Sequence, residues 1–335
     1  LMGIAALYIN SSKGNLIAQL EEASSEKQNI FIRHKELEDI KENLYLNIVH
    51  NNEKNENINK NEKEEYNVDD LRGKTIIGND LKVTEELNFF NGYGGFNKGS
   101  GSYSIRLNNF LNTPAPWINV ISNEDFGFHI SEVGSSYTWC GNSRENKLTS
   151  WSNDWVVDPL SEALYIRDDG SRMYFSITPQ PVRDGGVYDI EHSFGYSTFK
   201  HTAQDISGES TYFCPKGEKI KLCKVTLENK SSEDKGLTLF YYSQLVLGVY
   251  SYKSCKQVHT DIEENFVCGQ NPFNTYFGKL KTFLTINGCS SLSFSGDRKE
   301  FIGVGNDLSN PNALKYDKLS NNVGAVFDPC LSVAG

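Results

Sequence analysis

From about Leu87 onward this chain shows no helical hydrophobic period long enough to serve as a crossover, and that property confines it to a β architecture. Short alternating segments recur instead. Tyr103, Ile105 and Leu107 alternate, as do Ile220 and Leu222, then Val225 and Leu227 after a one-residue slip that reads as a bulge. Turn dipeptides punctuate the region at Asn91-Gly92, Asp169-Gly170, Asp184-Gly185 and Asn287-Gly288. Abundant Tyr (17) and Phe (19) suit strands. The pattern predicts a mainly β fold, a large antiparallel β-sandwich over residues 87–335.

Upstream the pattern differs. Leu16, Ile17 and Leu20, then Leu37, Ile40, Leu44 and Ile48, repeat at helical spacing, so residues 1–50 read as a helical lead-in, with Ser24-Ser25-Glu26 as a helix start. The run from Asn51 to Asn67 holds seven Asn, five Glu and three Lys. Such a composition buries too little apolar surface to fold, so residues 51–86 read as a flexible linker.

A net charge of -10 and a pI near 5.2 argue against nucleic acid or an acidic membrane surface as partner. The seven cysteines form no CxxC pair, which points to a reducing, cytoplasmic setting. The apolar opening from Leu1 to Ile9 is too short to span a bilayer, and its Leu-Met start suggests a piece of a longer protein.

All four tryptophans, Trp117, Trp139, Trp151 and Trp155, fall within residues 117–155. Interleaved are Asn142, Arg144, Glu145, Asn146, Asn153, Asp154, Asp158 and Glu162. Flat rings offer apolar faces to the CH faces of a sugar, and planar polar groups pair with its hydroxyls. The competing reading makes the tryptophans core or interface anchors and the charges solvated loops. His192, close to Gly195-Tyr196 and His201, could be presented to a ligand from a strand–turn segment. No HExxH, GxSxG or phosphate-binding glycine loop is present, so neither a metal nor a catalytic residue is assigned. The closely spaced Glu145, Asp154, Asp158 and Glu162 could supply a glycosidase pair only if they faced each other across a cleft.

Longer runs carry a resemblance. Asn91-Gly-Tyr-Gly-Gly-Phe, TPAPWINVISN (Thr113 to Asn123), SYTWCGNSRENKLTSWSNDW (Ser136 to Trp155), EALYIRD (162–168), GYSTF (Gly195 to Phe199) and SGDRKEF (Ser295 to Phe301) are similar to the amino-terminal region of glycoside hydrolase family 94, formerly glycosyltransferase family 36. The most similar branch is that of cyclic β-1,2-glucan synthases and 1,2-β-oligoglucan phosphorylases. The chain departs from it at Cys140, Trp155 and Leu160.

The resemblance implies a β-supersandwich, then a helical linker and an α/α barrel that carries the catalytic acid, for which this chain has no position. It implies inverting phosphorolysis of β-glucan to α-glucose 1-phosphate, with inorganic phosphate as co-substrate and no cofactor. The implied partners are a β-glucan oligosaccharide and the barrel, and the resemblance allows a homodimer. On this reading the sandwich loops shape the substrate cleft. The candidate positions are Trp139, Arg144, Glu145, Asn146, Trp151, Asn153 and Asp154, with His192 and Tyr196 as a second group. Two other roles remain open, an autonomous carbohydrate-binding module and a purely structural interface domain.

Overall fold

A computed structural model describes Met2–Leu7, Ile9–Asn10 and residues 87–108 and 110–335. The chain is mainly β, as the strand pattern requires. Among the described residues the strands form sheets of eight, nine and four members, all paired antiparallel. In spatial order the eight-stranded sheet comprises Met2–Leu7, Ile220–Asn229, Ile206–Phe213, Tyr196–Ala203, Tyr188–Ser193, Tyr103–Leu107, Gly94–Asn97 and Leu87–Asn88. The nine-stranded sheet centres on Leu237–Gly248. Glu162–Asp168 pairs along one edge of that strand, and Pro329–Ala334 and then Lys147–Thr149 share the other. Beyond these lie Ser136–Cys140, Phe126–Ser131 and the edge strand Ile118–Ser122.

The inner faces of the two large sheets meet in one apolar core that includes Ile105, Leu107, Ile190 and Phe199 from one sheet and Phe126, Phe128, Leu164 and Leu239 from the other. Each such buried side chain contributes roughly 1.5–3 kcal/mol. Glu162–Asp168 is buried along its whole length because its second face is covered too. There Ala163 and Tyr165 pack under the short helix Arg298–Ile302 and the 3-10 turn Asn312–Lys315. Arg167 ties down that cover by donating from Nη1 to the carbonyls of Leu314 (3.1 Å) and Tyr316 (2.5 Å).

Two expectations are corrected. Met2–Leu7 and Ile9–Asn10 are strands where a helical lead-in was expected; Met2–Leu7 pairs with Ile220–Val225 at the sheet edge. The rest of the lead-in and the expected linker lie outside the described residues. The bulge inferred between Leu222 and Val225 is absent, since Ile220–Asn229 runs in unbroken register. Its inner face is Lys221, Cys223, Val225 and Leu227, while Ile220 and Leu222 face a separate cluster around Phe266, Cys268 and Phe283. A register shift occurs instead between Leu245 and Gly248.

The inward lysine explains the misreading. Lys221 Nζ lies 2.5 Å from Glu162 Oε2, with both side chains only 5% exposed, so the ion pair bridges the two sheets. It completes a network. Glu162 Oε1 accepts from Thr138 and Thr149 hydroxyls, each at 2.7 Å, and Oε2 accepts from Tyr241 at 2.9 Å. Lys221 also donates to Ser136 Oγ at 2.6 Å and lies 4.4 Å from the Phe128 ring centre. Burial alone would push the Glu162 carboxyl up. The Lys221 charge and the hydrogen bonds outweigh it and hold the carboxyl below its ordinary value. The pair's contribution is therefore present above the unfolded carboxylate range and lost as pH falls through the lower folded value.

Removing one partner leaves the other charge buried and unpaired, which costs about 3–5 kcal/mol. Urea unfolding should show a loss of that size in Lys221→Met, with part of it recovered when Glu162→Gln is added. An unchanged midpoint in the single variant would show that the pair does not hold the sheets together.

Candidate functional site

The strand Ser136–Cys140 has two chemically different faces. Ser136 and Thr138 point into the buried network, and Tyr137 and Trp139 point to the other side. On that side the rings form a shelf. Tyr137 stacks on Trp151 with centroids 5.1 Å apart and planes 8° from parallel. Trp139 meets Tyr137 at 5.1 Å and 36°, and His129 stands edge-on to both Tyr137 (4.5 Å) and Trp151 (5.3 Å). Lys147 Nζ lies 5.9 Å from the Trp151 ring centre. Gly127, opposite Trp139, makes this geometry accessible, because a Cβ there would come within 2.6 Å of the indole. The shelf ends in Trp151, 39% exposed.

Two loops flank it. In the first, Asn142 Oδ1 accepts from the amides of Arg144 and Glu145, each at 2.9 Å, which turns both side chains to solvent. Their mutual contact, 3.5 Å between Arg144 Nε and Glu145 Oε1, is an exposed pair of little energetic weight. Asn146 has a different task from the one expected. It is buried, and its Nδ2 donates to the Cys140 carbonyl at 2.9 Å, closing the hairpin.

In the second loop, Asp154 Oδ1 accepts from the amides of Val156 and Val157, each at 3.0 Å, and these bonds hold its carboxyl below the ordinary range. Asn153 and Asp158 adopt left-handed backbone, with φ of 49° and 43°. The chain is thereby folded so that Trp155 (74% exposed), Val156 and Val157 project outward. Asp158 anchors the loop by accepting from Ser131 Oγ at 2.6 Å.

The second candidate group divides. The two-residue turn Phe194-Gly195, with Gly195 at φ +86°, joins Ser193 to Tyr196, and His192 and Tyr196 point to opposite faces of the hairpin. His192 bonds Ser197 Oγ at 2.9 Å and lines a cleft of about 310 Å³ with Trp117, Tyr103, Phe96 and Phe194. Tyr196 instead donates to Glu191 Oε1 at 3.2 Å. Asn119 on the edge strand fastens the turn. Its Nδ2 donates to the carbonyls of Ser193 (2.9 Å) and Tyr196 (3.1 Å) and to Ser197 Oγ (3.1 Å). His201 lies apart, buried between Val187 O (2.9 Å) and Asp184 Oδ2 (3.1 Å). The considered carboxylate pair is likewise dispersed into turn capping (Asp154), loop anchoring (Asp158) and the buried network (Glu162).

Burial pushes His192 down to about 4, against an opposing contribution from the Trp117 backbone. Burial, then the Lys221 charge, likewise pushes His129 down to about 4, against Glu162. Both rings are neutral at neutral pH, so positive charge for an anion must come from Arg144 and Lys147 rather than from imidazole. Sequence reasoning missed Tyr137, His129, Asn119 and Phe194. Only Tyr137 carried a signal, its two-residue offset from Trp139.

Residues 101–335 match the family model of the glycosyl hydrolase 94 supersandwich domain, and the chain belongs to that family. It is 31% identical over 255 residues to the cyclic beta-(1,2)-glucan synthase NdvB of Rhizobium meliloti (strain 1021), covering 74% of this chain and 9% of that protein. It is 26% identical over 256 residues to the N,N'-diacetylchitobiose phosphorylase of Vibrio proteolyticus, covering 72% of this chain and 31% of the relative. A 3-O-beta-D-glucopyranosyl-beta-D-glucuronide phosphorylase of Paenibacillus borealis is 23% identical over 171 residues, covering 51% of this chain and 21% of that protein. The chain thus spans under a third of each of these relatives. Among the described residues no helix is long and apolar enough to cross a membrane.

The two neutral histidines have a consequence for pH. Each titrates near 6.5 when unfolded and near 4 when folded, so between those values the folded chain binds fewer protons. Stability is therefore full above about pH 6.5 and falls as pH drops toward 4, by about 3 kcal/mol for His129. Urea midpoints compared at pH 7 and 5 should show this decline, and His129→Phe should make it shallower. An equal slope in the variant would contradict the assignment.

Proposed function

We propose that this chain is the non-catalytic, substrate-shaping β-sandwich portion of an inverting glycoside phosphorylase or cyclic β-1,2-glucan synthase acting on β-1,2-glucans. The observation that carries this reading is the Trp139–Tyr137–Trp151 shelf, flanked by the outward Arg144, Glu145, Asn153 and Asp154. Tyr137 is buried beneath Trp151, so the exposed Trp151 offers the ring face to a sugar's CH groups and the planar polar groups around it suit the hydroxyls. The relatives' names, a glucan synthase and disaccharide phosphorylases, support the same ligand class.

In the parent reaction phosphate attacks the anomeric carbon while one enzyme acid protonates the departing oxygen, giving α-glucose 1-phosphate. Phosphate is already a nucleophile, so the second carboxylate of an inverting hydrolase has no counterpart to supply. We assign the acid to an α/α barrel of the parent protein and assign to this chain the orientation of the glucan. Arg144 and Lys147 are the residues suited to steering the phosphate. No cofactor enters this scheme, and a cytoplasmic location fits a reaction that uses phosphate and sugar phosphate.

A structural reading has its own observation. Trp155, Val156 and Val157 form a contiguous exposed apolar strip, suited to burial against the barrel or a second copy in a homodimer. Both readings expect no chemistry from this chain alone. Incubated with β-1,2-glucan and phosphate, the purified protein should release no α-glucose 1-phosphate; measurable phosphorolysis would overturn the assignment.

A further inference from the structure

We propose that the outer face of the eight-stranded sheet carries a second sugar-binding groove, built by Phe90, Tyr93, Arg106, Asp189, Glu191 and Lys200. It rests on the reading above for the class of ligand and differs from it in place. The groove encloses about 200 Å³, below the range of sites that swallow drug-sized ligands and suited to one small ring.

Strand alternation creates its floor. Arg106, Asp189 and Lys200 are cross-strand neighbours on the face opposite Ile105, Ile190 and Phe199, which enter the core. Glu191 lies two residues from Asp189 on that same face. Arg106 directs Nε and Nη2 at the two oxygens of Asp189, 2.5 and 2.9 Å away. Lys200 Nζ lies 3.0 Å from Glu209 Oε2, and Glu209 first, with Glu191 and Asp189 also contributing, holds its ammonium above the ordinary value. Glu191 accepts from the Tyr196 hydroxyl at 3.2 Å.

The chemistry of the lining selects the ligand. With Glu209 on Lys200, two cations face three carboxylates, so a phosphate gains no attractive net field here. Donors and acceptors alternate within a few ångströms, and the aromatic residues Phe90 and Tyr93 border them. A neutral hexose unit satisfies both demands, with hydroxyls to the charged floor and a CH face to a ring. Tyr93 also meets Trp117 edge-on at 5.8 Å, and Trp117 lines the His192 cleft. The groove and the His192 cleft therefore adjoin through this aromatic pair.

The test is an amide-resolved NMR titration of the ¹⁵N-labelled chain with a β-1,2-linked gluco-oligosaccharide, and separately with inorganic phosphate. Oligosaccharide should shift the amides of Ser104, Glu191, Thr198 and Lys200, and phosphate should leave them in place. In Glu191→Ala/Lys200→Ala the groove shifts should require about tenfold or more ligand, the effect of losing a hydrogen bond to a charged group. In Trp151→Ala they should persist. Shifts confined to Trp117, Trp139, Trp151 and His192 would overturn the groove and leave the shelf reading standing. Shifts at neither place in a folded sample would overturn both.

Discussion

The contact between Lys221 and Glu162 joins the two large sheets and also holds the strands that carry the candidate site. Glu162 gathers the hydroxyls of Thr138 and Thr149, and Lys221 takes that of Ser136. Thr138 is the residue before Trp139, and Thr149 lies two before Trp151. The polar interior thus fixes the register in which Tyr137, Trp139 and Trp151 come together outside. A buried ion pair adds little net stability over well-packed apolar residues, because desolvation offsets most of its attraction. Its value here is specificity: the four hydroxyls and two charges are satisfied together in this one sheet alignment. The same charge reaches the shelf electrostatically, since Lys221 helps keep His129 neutral.

That arrangement separates two jobs that the loops alone could not perform. Asn142, Asp154 and Asp158 shape their loops through backbone and hydroxyl hydrogen bonds, so the geometry of residues 142–158 is set locally. Its placement relative to the sheets is set from below. At the other end of the shelf, the register shift at Leu245–Gly248 exposes the Leu247 carbonyl, which Asn271 and Asn274 pick up at 3.1 and 3.3 Å. Asn274 Oδ1 also accepts from the Phe277 amide at 3.1 Å, and the Phe277 ring lies beside Gly141. Sheet irregularity, amide capping and turn position form one mechanical chain.

Much of this was legible in the sequence, for identifiable reasons. Alternation at Tyr103–Leu107 and the glycine-bearing turns marked the strands, and the tryptophan stretch marked the shelf. Lys221 defeated the pattern, because a polar residue on an inner face looks like a one-residue slip. EALYIRD shows no alternation since both of its faces are buried. Met2–Leu7 has the composition of a helix former, yet edge pairing with Ile220–Val225 overrides that propensity. Asn146 and Arg144 sit two residues apart in one polar turn, and only the Cys140 carbonyl decides which of them turns inward. His192 and Tyr196 looked like partners until the hairpin placed them on opposite faces.

We propose that this sandwich itself holds part of the sugar, through a shelf that its buried polar core keeps in place. Titration calorimetry of the chain with β-1,2-gluco-oligosaccharides, alongside Trp151→Ala, addresses it most directly. A saturable heat is expected from the parent chain, much reduced in a folded Trp151→Ala protein. A flat titration from a folded parent chain, or equal heats from the two proteins, would contradict it.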